Sequence, residues 1–207
     1  MPVPAAIGRM LLVAPAYFAL LMALGATGFY APMYRAIGNT CFGSFGSGRI
    51  ALFAPIVDPA GIADTGLSVG SNSKGVPGYG STMKISSLRE GYAPIAMIAA
   101  LIFATPVSWS SRLRMLWIGL IAIHGFIALR MFVSVVYGFS VVGLDGRLLL
   151  EAGPVVKSAI WRANQIVAGE LNGSYLVPFL VWLALALRVD PFRAQFRPAS
   201  AAKEGAR

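Results

Sequence analysis

Residues 113–137 read LRMLWIGLIAIHGFIALRMFVSVVY, and the reading of this run decides what kind of protein the chain is. Past Arg114 at its start it carries one charge, Arg130. It is long enough to cross a bilayer, which takes about 20 apolar residues at 1.5 Å rise each. Working outward, three more runs are apolar at comparable length, at about 10–30, 92–109 and 172–187. The first has no charge between Arg9 and Arg35 and no A-x-A site after it. It exceeds the roughly 7–15 apolar residues of a signal peptide core and reads as a retained anchor. Ile37-Gly38-Asn39-Thr40 before Cys41 is no lipobox.

Composition agrees. Of 207 residues, 57% are hydrophobic and 12% charged, about half the charged fraction of a soluble domain. Mean hydropathy is +0.72, which excludes a soluble globular chain and a disordered one. A single cysteine excludes an internal disulfide framework, and a single histidine excludes a bis-histidine haem or two-histidine zinc site within the chain. The net charge of +9 is read as orientation within a membrane, with no nucleic-acid partner. Arg9, the hairpin Ser110-Ser111-Arg112-Leu113-Arg114 and the tail carrying Arg188, Arg193, Arg197, Lys203 and Arg207 fall on one side, the cytoplasm. Segments of about 31–91 and 138–171 then lie outside. The expectation is an all-α polytopic integral membrane protein, one membrane domain over 1–207. It has about four transmembrane helices, a small β-containing extracytoplasmic segment, a cytoplasmic tail at 188–207 and both termini cytoplasmic.

Within the outer segments, Arg49–Phe53, Gly66–Val69 and Met83–Ile85 read as short strands between Gly/Ser/Pro turns. Asp145-Gly146 inside 141–149 suggests a hairpin. From Pro154, Val156, Ile160, Ala163, Val167 and Leu171 recur at helical spacing opposite Lys157, Ser158, Arg162 and Gln165, an amphipathic helix. Ala19, Ala23, Thr27 and Ala31, and Ala96, Ala100, Ala104 and Ser108, form small-residue stripes suited to close helix packing.

Candidate chemistry is sparse. An arginine within a span costs at least a few kcal/mol unless paired or hydrated. Arg130 therefore needs a carboxylate, carbonyl or substrate, or else it snorkels to the outer interface. His124, about 9 Å away along the helix axis, is either a neutral hydrogen-bonded group or the axial ligand of a pigment or cofactor beside Gly125. Cys41, an outer thiol, is a nucleophile only if a base lowers its pKa, and the sequence puts none beside it. Arg89 and Glu90 stand at the outer mouth of the second run, as interface anchors or as a charge pair over Arg130. Asp58 and Asp64 read as turn residues. With Glu170 they show no metal-ligand spacing, so neither metal nor cofactor is expected.

Outer strands, then Ile85-Ser86-Ser87-Leu88-Arg89, a span, a short basic hairpin, and a span with Arg130 toward its outer end form a known order. Over about residues 80–135 the chain resembles the exosortase/archaeosortase family of polytopic membrane transpeptidases. That family processes C-terminal sorting signals outside the cytoplasmic membrane of bacteria and archaea. Its cysteine opens a Cys-Ser-Gly-like motif, and an arginine ends an Asn-x-x-Arg-like motif. Ser86, Arg89 and Arg130 fit the pattern, but Ile85 stands at the cysteine and Ile127 at the asparagine. The resemblance thus implies an exosortase-like scaffold without the family's nucleophile. The expectation is a non-catalytic accessory, assembly or binding subunit whose partners are membrane lipids and other membrane proteins, with Arg130, Arg89 and His124 as binding residues. The alternatives are a thiol transpeptidase or protease using Cys41 with His124 or Arg130, and a pigment- or cofactor-binding subunit through His124.

Overall fold

The computed structural model describes residues 3–44, 48–73, 76–140, 153–168 and 172–189. Helix α1, Val3–Gly25, turns Ala14, Phe18, Leu21 and Met22 toward the core. The chain then bends at Gly28, whose φ of 81° is one that side-chain-bearing residues rarely adopt. Helix α2, Tyr30–Phe42, leaves at 76° to α1. Its residues Tyr30, Tyr34 and Gly38, four apart, are buried. That stripe faces a three-stranded antiparallel sheet in the order β1-β2-β3, built from Arg49–Pro55, Thr65–Ser73 and Val76–Ile85. All three stretches read as strands in the sequence lie within it.

Alternation explains the sheet's two faces. The cross-strand pairs Ala51↔Val69 and Phe53↔Leu67 put four buried side chains on one face, while Leu52 between them is exposed. A π-helical turn, Leu88–Tyr92, leads from β3 into α3, Ala93–Ala104. Helix α4, Trp109–Ser140, is followed by α5, Pro154–Ala168, a second π-helical turn, Asn172–Leu176, and α6, Val177–Ala186. The last turns of α4 pack on the sheet: at Gly138 a side chain would come within 3.0 Å of Val69 and Met83.

This architecture overturns the all-α, four-span expectation. Among the described residues six helices are joined by a three-stranded sheet, and one helix, Trp109–Ser140, is long and apolar enough to cross a membrane. The run at 10–30 continues into α2 through the 76° bend, so that pair adds at most one more. The run at 92–109 is helical only to Ala104, because Thr105 precedes Pro106 and is driven to extended backbone (ψ 128°). The run at 172–187 yields a ten-residue helix after a π-helical turn. Hydropathy counts apolar residues and does not see these breaks. Helix α3 is apolar because it is central, with Ile98, Ala100 and Ile102 all 0% exposed. Thr105 becomes a tie: its hydroxyl donates to the Leu101 carbonyl at 2.7 Å and accepts the Trp182 indole N–H at 2.8 Å, and its carbonyl accepts Arg112 Nε at 3.1 Å.

Helix α5 occupies the place read for the amphipathic helix, with Ile160, Ala163 and Val167 half-buried, although Val156 of the same face is exposed and Lys157 of the other is half-buried. The stripe on α3 is used, Ala96 and Ala100 being buried, whereas Ala19 and Ala23 on α1 are exposed. The hairpin expected at 141–149, Glu170, Leu171 and the tail from residue 190 lie outside the described residues.

The tightest packing surrounds the first π-helical turn. A methyl group on Gly91 would lie 2.5 Å from Tyr30 Cε1 and 2.8 Å from Tyr34 Cδ2. Both rings are buried, and Tyr34 is held edge-on by Phe53 at 6.2 Å between centroids. Gly91→Ala is therefore expected to cost about 1–3 kcal/mol by overpacking, measured as a lowered unfolding midpoint in detergent. Gly125→Ala is the control: nothing lies within 4 Å of its added methyl, so it should be neutral or stabilising. Equal behaviour of the two variants would refute this account of the turn.

Candidate functional site

Arg130 is the centre around which the elements meet. On α4 it belongs to the stripe Ile123, Ile127, Arg130, Met131, Ser134 and Val135, all buried, so its side chain points into the protein. It is 1% exposed, which removes the snorkelling reading. Nη2 donates to the carbonyl of Ala168 at 2.7 Å. Ala168 is the last residue of α5, where carbonyls lack intrahelical donors and the helix dipole favours a cation. Nη1 donates to the Glu90 carbonyl and to Ser174 Oγ, each at 3.4 Å. Ser174 Oγ in turn donates to the Arg89 carbonyl at 2.7 Å. Nε lies 3.6 Å from Glu90 Oε2, within ion-pair range but without a hydrogen bond.

Both π-helical turns serve this centre. Leu88–Tyr92 supplies the Arg89 and Glu90 carbonyls and the Glu90 carboxylate, and Asn172–Leu176 supplies Ser174. Such turns shift the backbone by a residue relative to an α-helix and are frequent at functional sites. Asp64 pins the first turn to the sheet: its carboxylate accepts the Ser87 N–H at 3.2 Å and the Ser87 hydroxyl at 2.8 Å. It also accepts the Thr65 hydroxyl at 2.6 Å. Read from the sequence as a turn residue, Asp64 instead holds Ser87, 23 positions downstream and just before the π-helical turn. Asp58 does close a turn, accepting the Ile62 and Ala63 N–H groups at 3.2 Å each. Its hydrogen bond from Lys84, at 2.7 Å, holds its carboxyl below the ordinary range, helped by those backbone donors.

Tyr34, on the face of α2 against the sheet, completes the surroundings. Burial pushes its phenol well above the ordinary range, the Glu90 carboxylate adds to the rise, and Arg130 opposes it. Burial alone pushes Tyr30 up to about 12. Both phenols are thus neutral at physiological pH.

The other sequence candidates are dispersed. The Arg89 side chain is exposed, and its carbonyl is what enters the Arg130 centre. His124 is exposed on α4, with Nδ1 2.7 Å from the Leu120 carbonyl. A carbonyl can only accept, so Nδ1 carries a proton in this contact. Cys41 is exposed on α2. Arg130 alone of the three is buried, and among the described residues none of its hydrogen bonds reaches Cys41 or His124. Among the described residues no group of three or more His, Cys, Asp or Glu could hold a metal ion.

Sequence reasoning found Arg130 and the need for a partner. It missed Ser174 and Ala168, which lie 44 and 38 positions away. It also missed Asn39, whose amide donates to the Phe53 carbonyl at 3.0 Å and accepts the Phe53 N–H at 2.8 Å. Backbone carbonyls leave no signal in a sequence. The Asn39 clamp had none either, beyond a polar residue amid an apolar helix face. The geometry amounts to a closed electrostatic tie joining α4, the end of α5 and both π-helical turns, and no family model, curated protein or solved structure matches the chain.

Proposed function

We propose that the chain is a non-catalytic membrane protein, an accessory, assembly or binding subunit on an exosortase-like scaffold. It is held in the bilayer through α4, and the sheet and α2 form its surface for another membrane protein. The observation that carries this reading is the change of surface along α4. Trp117 (69%), Ile118 (48%), Ile121 (70%) and Leu129 (49%) are exposed, whereas Gly138 and Phe139 are buried, Gly138 against the sheet. Uncovered apolar side chains over most of a long helix are suited to lipid. Its 32 residues extend about 48 Å, against about 30 Å of hydrocarbon. The excess is the part that meets the sheet. Arg130 stands about 32 Å from the start of α4, the level at which a bilayer would end.

The non-catalytic part is supported by the commitment of Arg130. Its terminal nitrogens are engaged by carbonyls and a hydroxyl, and 1% exposure leaves no face for a reacting group. Ser86, Arg89 and Arg130, the positions shared with the exosortase pattern, surround one turn, which favours the same scaffold put to structural use.

Two measurements test this. Washing membranes with alkaline carbonate should leave the chain in the pellet, and detergent should release it in a complex that persists on native gels. Full release by carbonate, or a lone monomer in mild detergent, would refute the proposal. Cys41→Ala should leave abundance and complex recovery at wild-type levels, because the exposed thiol has no base in the sequence beside it. A loss of complex or phenotype at normal abundance would instead favour the thiol-enzyme alternative.

A further inference from the structure

At the end of the helices remote from the sheet, α4 and α6 enclose a cleft of about 420 Å³. Its polar wall is Arg114, Arg188 and Ser111, and its apolar wall includes Met115, Ile118 and Leu185. Among the described residues no carboxylate lines it. Neither Arg114 nor Arg188 has a side-chain partner among the described residues. The neighbouring Arg112 is different, bonded to the Thr105 carbonyl and set over the Trp109 ring at 5.8 Å.

We propose that this cleft binds the headgroup phosphate of an anionic phospholipid. Two guanidinium forks and a hydroxyl match phosphate oxygens. Ser111 lies in the first turn of α4, where free N–H groups and the helix dipole add to the attraction for an anion. The opposite wall decides against a free anion. It continues through Ile118, 48% exposed, to Ile121, 70% exposed, on the bare face of α4, a path for an acyl chain. Trp109, 60% exposed at the same end of α4, is of the type enriched where hydrocarbon meets headgroups. A ligand charged at one end and apolar beyond it fits both walls. This site rests on the membrane reading of α4 and adds a ligand class to it.

The test uses the full chain in nonionic detergent, with dioleoylphosphatidylglycerol, dioleoylphosphatidylcholine and inorganic phosphate as probes and native mass spectrometry as readout. Phosphatidylglycerol should be retained over phosphatidylcholine, and millimolar inorganic phosphate should not displace it. R114Q/R188Q should weaken phosphatidylglycerol binding about tenfold or more, from the loss of two basic contacts. K157Q/R162Q removes the same charge from α5 and should stay within about twofold of wild type. Both arginines of the cleft are exposed, so their replacement removes charge and little packing, and R114K/R188K should retain part of the binding. Equal weakening by both glutamine pairs, equal retention of phosphatidylcholine, or displacement by inorganic phosphate would overturn the site while membrane retention stands. Wild-type protein in the carbonate-soluble fraction would overturn the membrane reading and this site together.

Discussion

Arg130→Leu is expected to destabilise the protein by about 3–5 kcal/mol, although leucine suits an apolar helix far better than arginine does. The loss arises from what is left behind. The Ala168 carbonyl loses its 2.7 Å donor, and the Glu90 carboxylate, with a side chain 19% exposed, loses the cation 3.6 Å away. Arg130→Lys should rescue little, since one ammonium cannot span Ala168, Glu90 and Ser174 as a planar fork does. Glu90→Gln should cost clearly less than Arg130→Leu, because the Glu90 backbone carbonyl keeps its bond to Nη1. Combining Arg130→Leu with Glu90→Leu should recover part of the loss, because the carboxylate that Arg130 faces is removed along with it. Folded yield and thermal unfolding in detergent measure all four. A wild-type midpoint for Arg130→Leu would show that the network contributes nothing to the fold.

The need for such a network was legible; its members were not. One charged residue in a run of apolar ones must find a partner wherever the helix sits, in lipid or in a protein core, so Arg130 announces itself. Its partners are two carbonyls, a serine and a glutamate drawn from residues 90, 168 and 174. Only Glu90 could have been suspected. The strands were legible for a local reason, the alternation that puts Ala51 and Phe53 inward with Leu52 between them. The amphipathic helix after Pro154 was legible in the same way.

The spans were misread because burial in protein and burial in lipid select the same residues. Ile98, Ala100 and Ile102 would suit either medium, and here they are covered by neighbouring helices. The distinction lies in three-dimensional exposure: α4 keeps Trp117 and Ile121 uncovered, and α3 keeps almost nothing so. Breaks were partly visible. Pro106 after Thr105 is a stop signal, and Gly28 is a turn signal. Both lost out to hydropathy averaged over a window.

Phe53→Ala is the second large effect, expected at about 3–5 kcal/mol for deletion of a buried ring. Phe53 is 2% exposed. Its ring lies so close to Gly38 that a methyl there would come within 2.7 Å of it, and it meets Tyr34 edge-on at 76°. Its backbone is held as well, by the paired Asn39 bonds of 3.0 and 2.8 Å. Strand β1 is an edge of the sheet, and the Asn39 amide supplies at one residue the donor and acceptor that a further strand would. Asn39→Ala should cost about 1–3 kcal/mol by leaving both groups unmet. Because the two residues grip one position, the double variant should lose less than the sum of the singles. The form of unfolding matters more than its size. Tyr34 joins Phe53 to the surroundings of Glu90 and Arg130, so the sheet and the helices should melt in one transition that shifts as a whole. A split transition, with the helical signal intact after the sheet is lost, would mean that α2 and the sheet fold apart from the Arg130 centre. That unit would then be a separate module, joined to α4 without being braced by it.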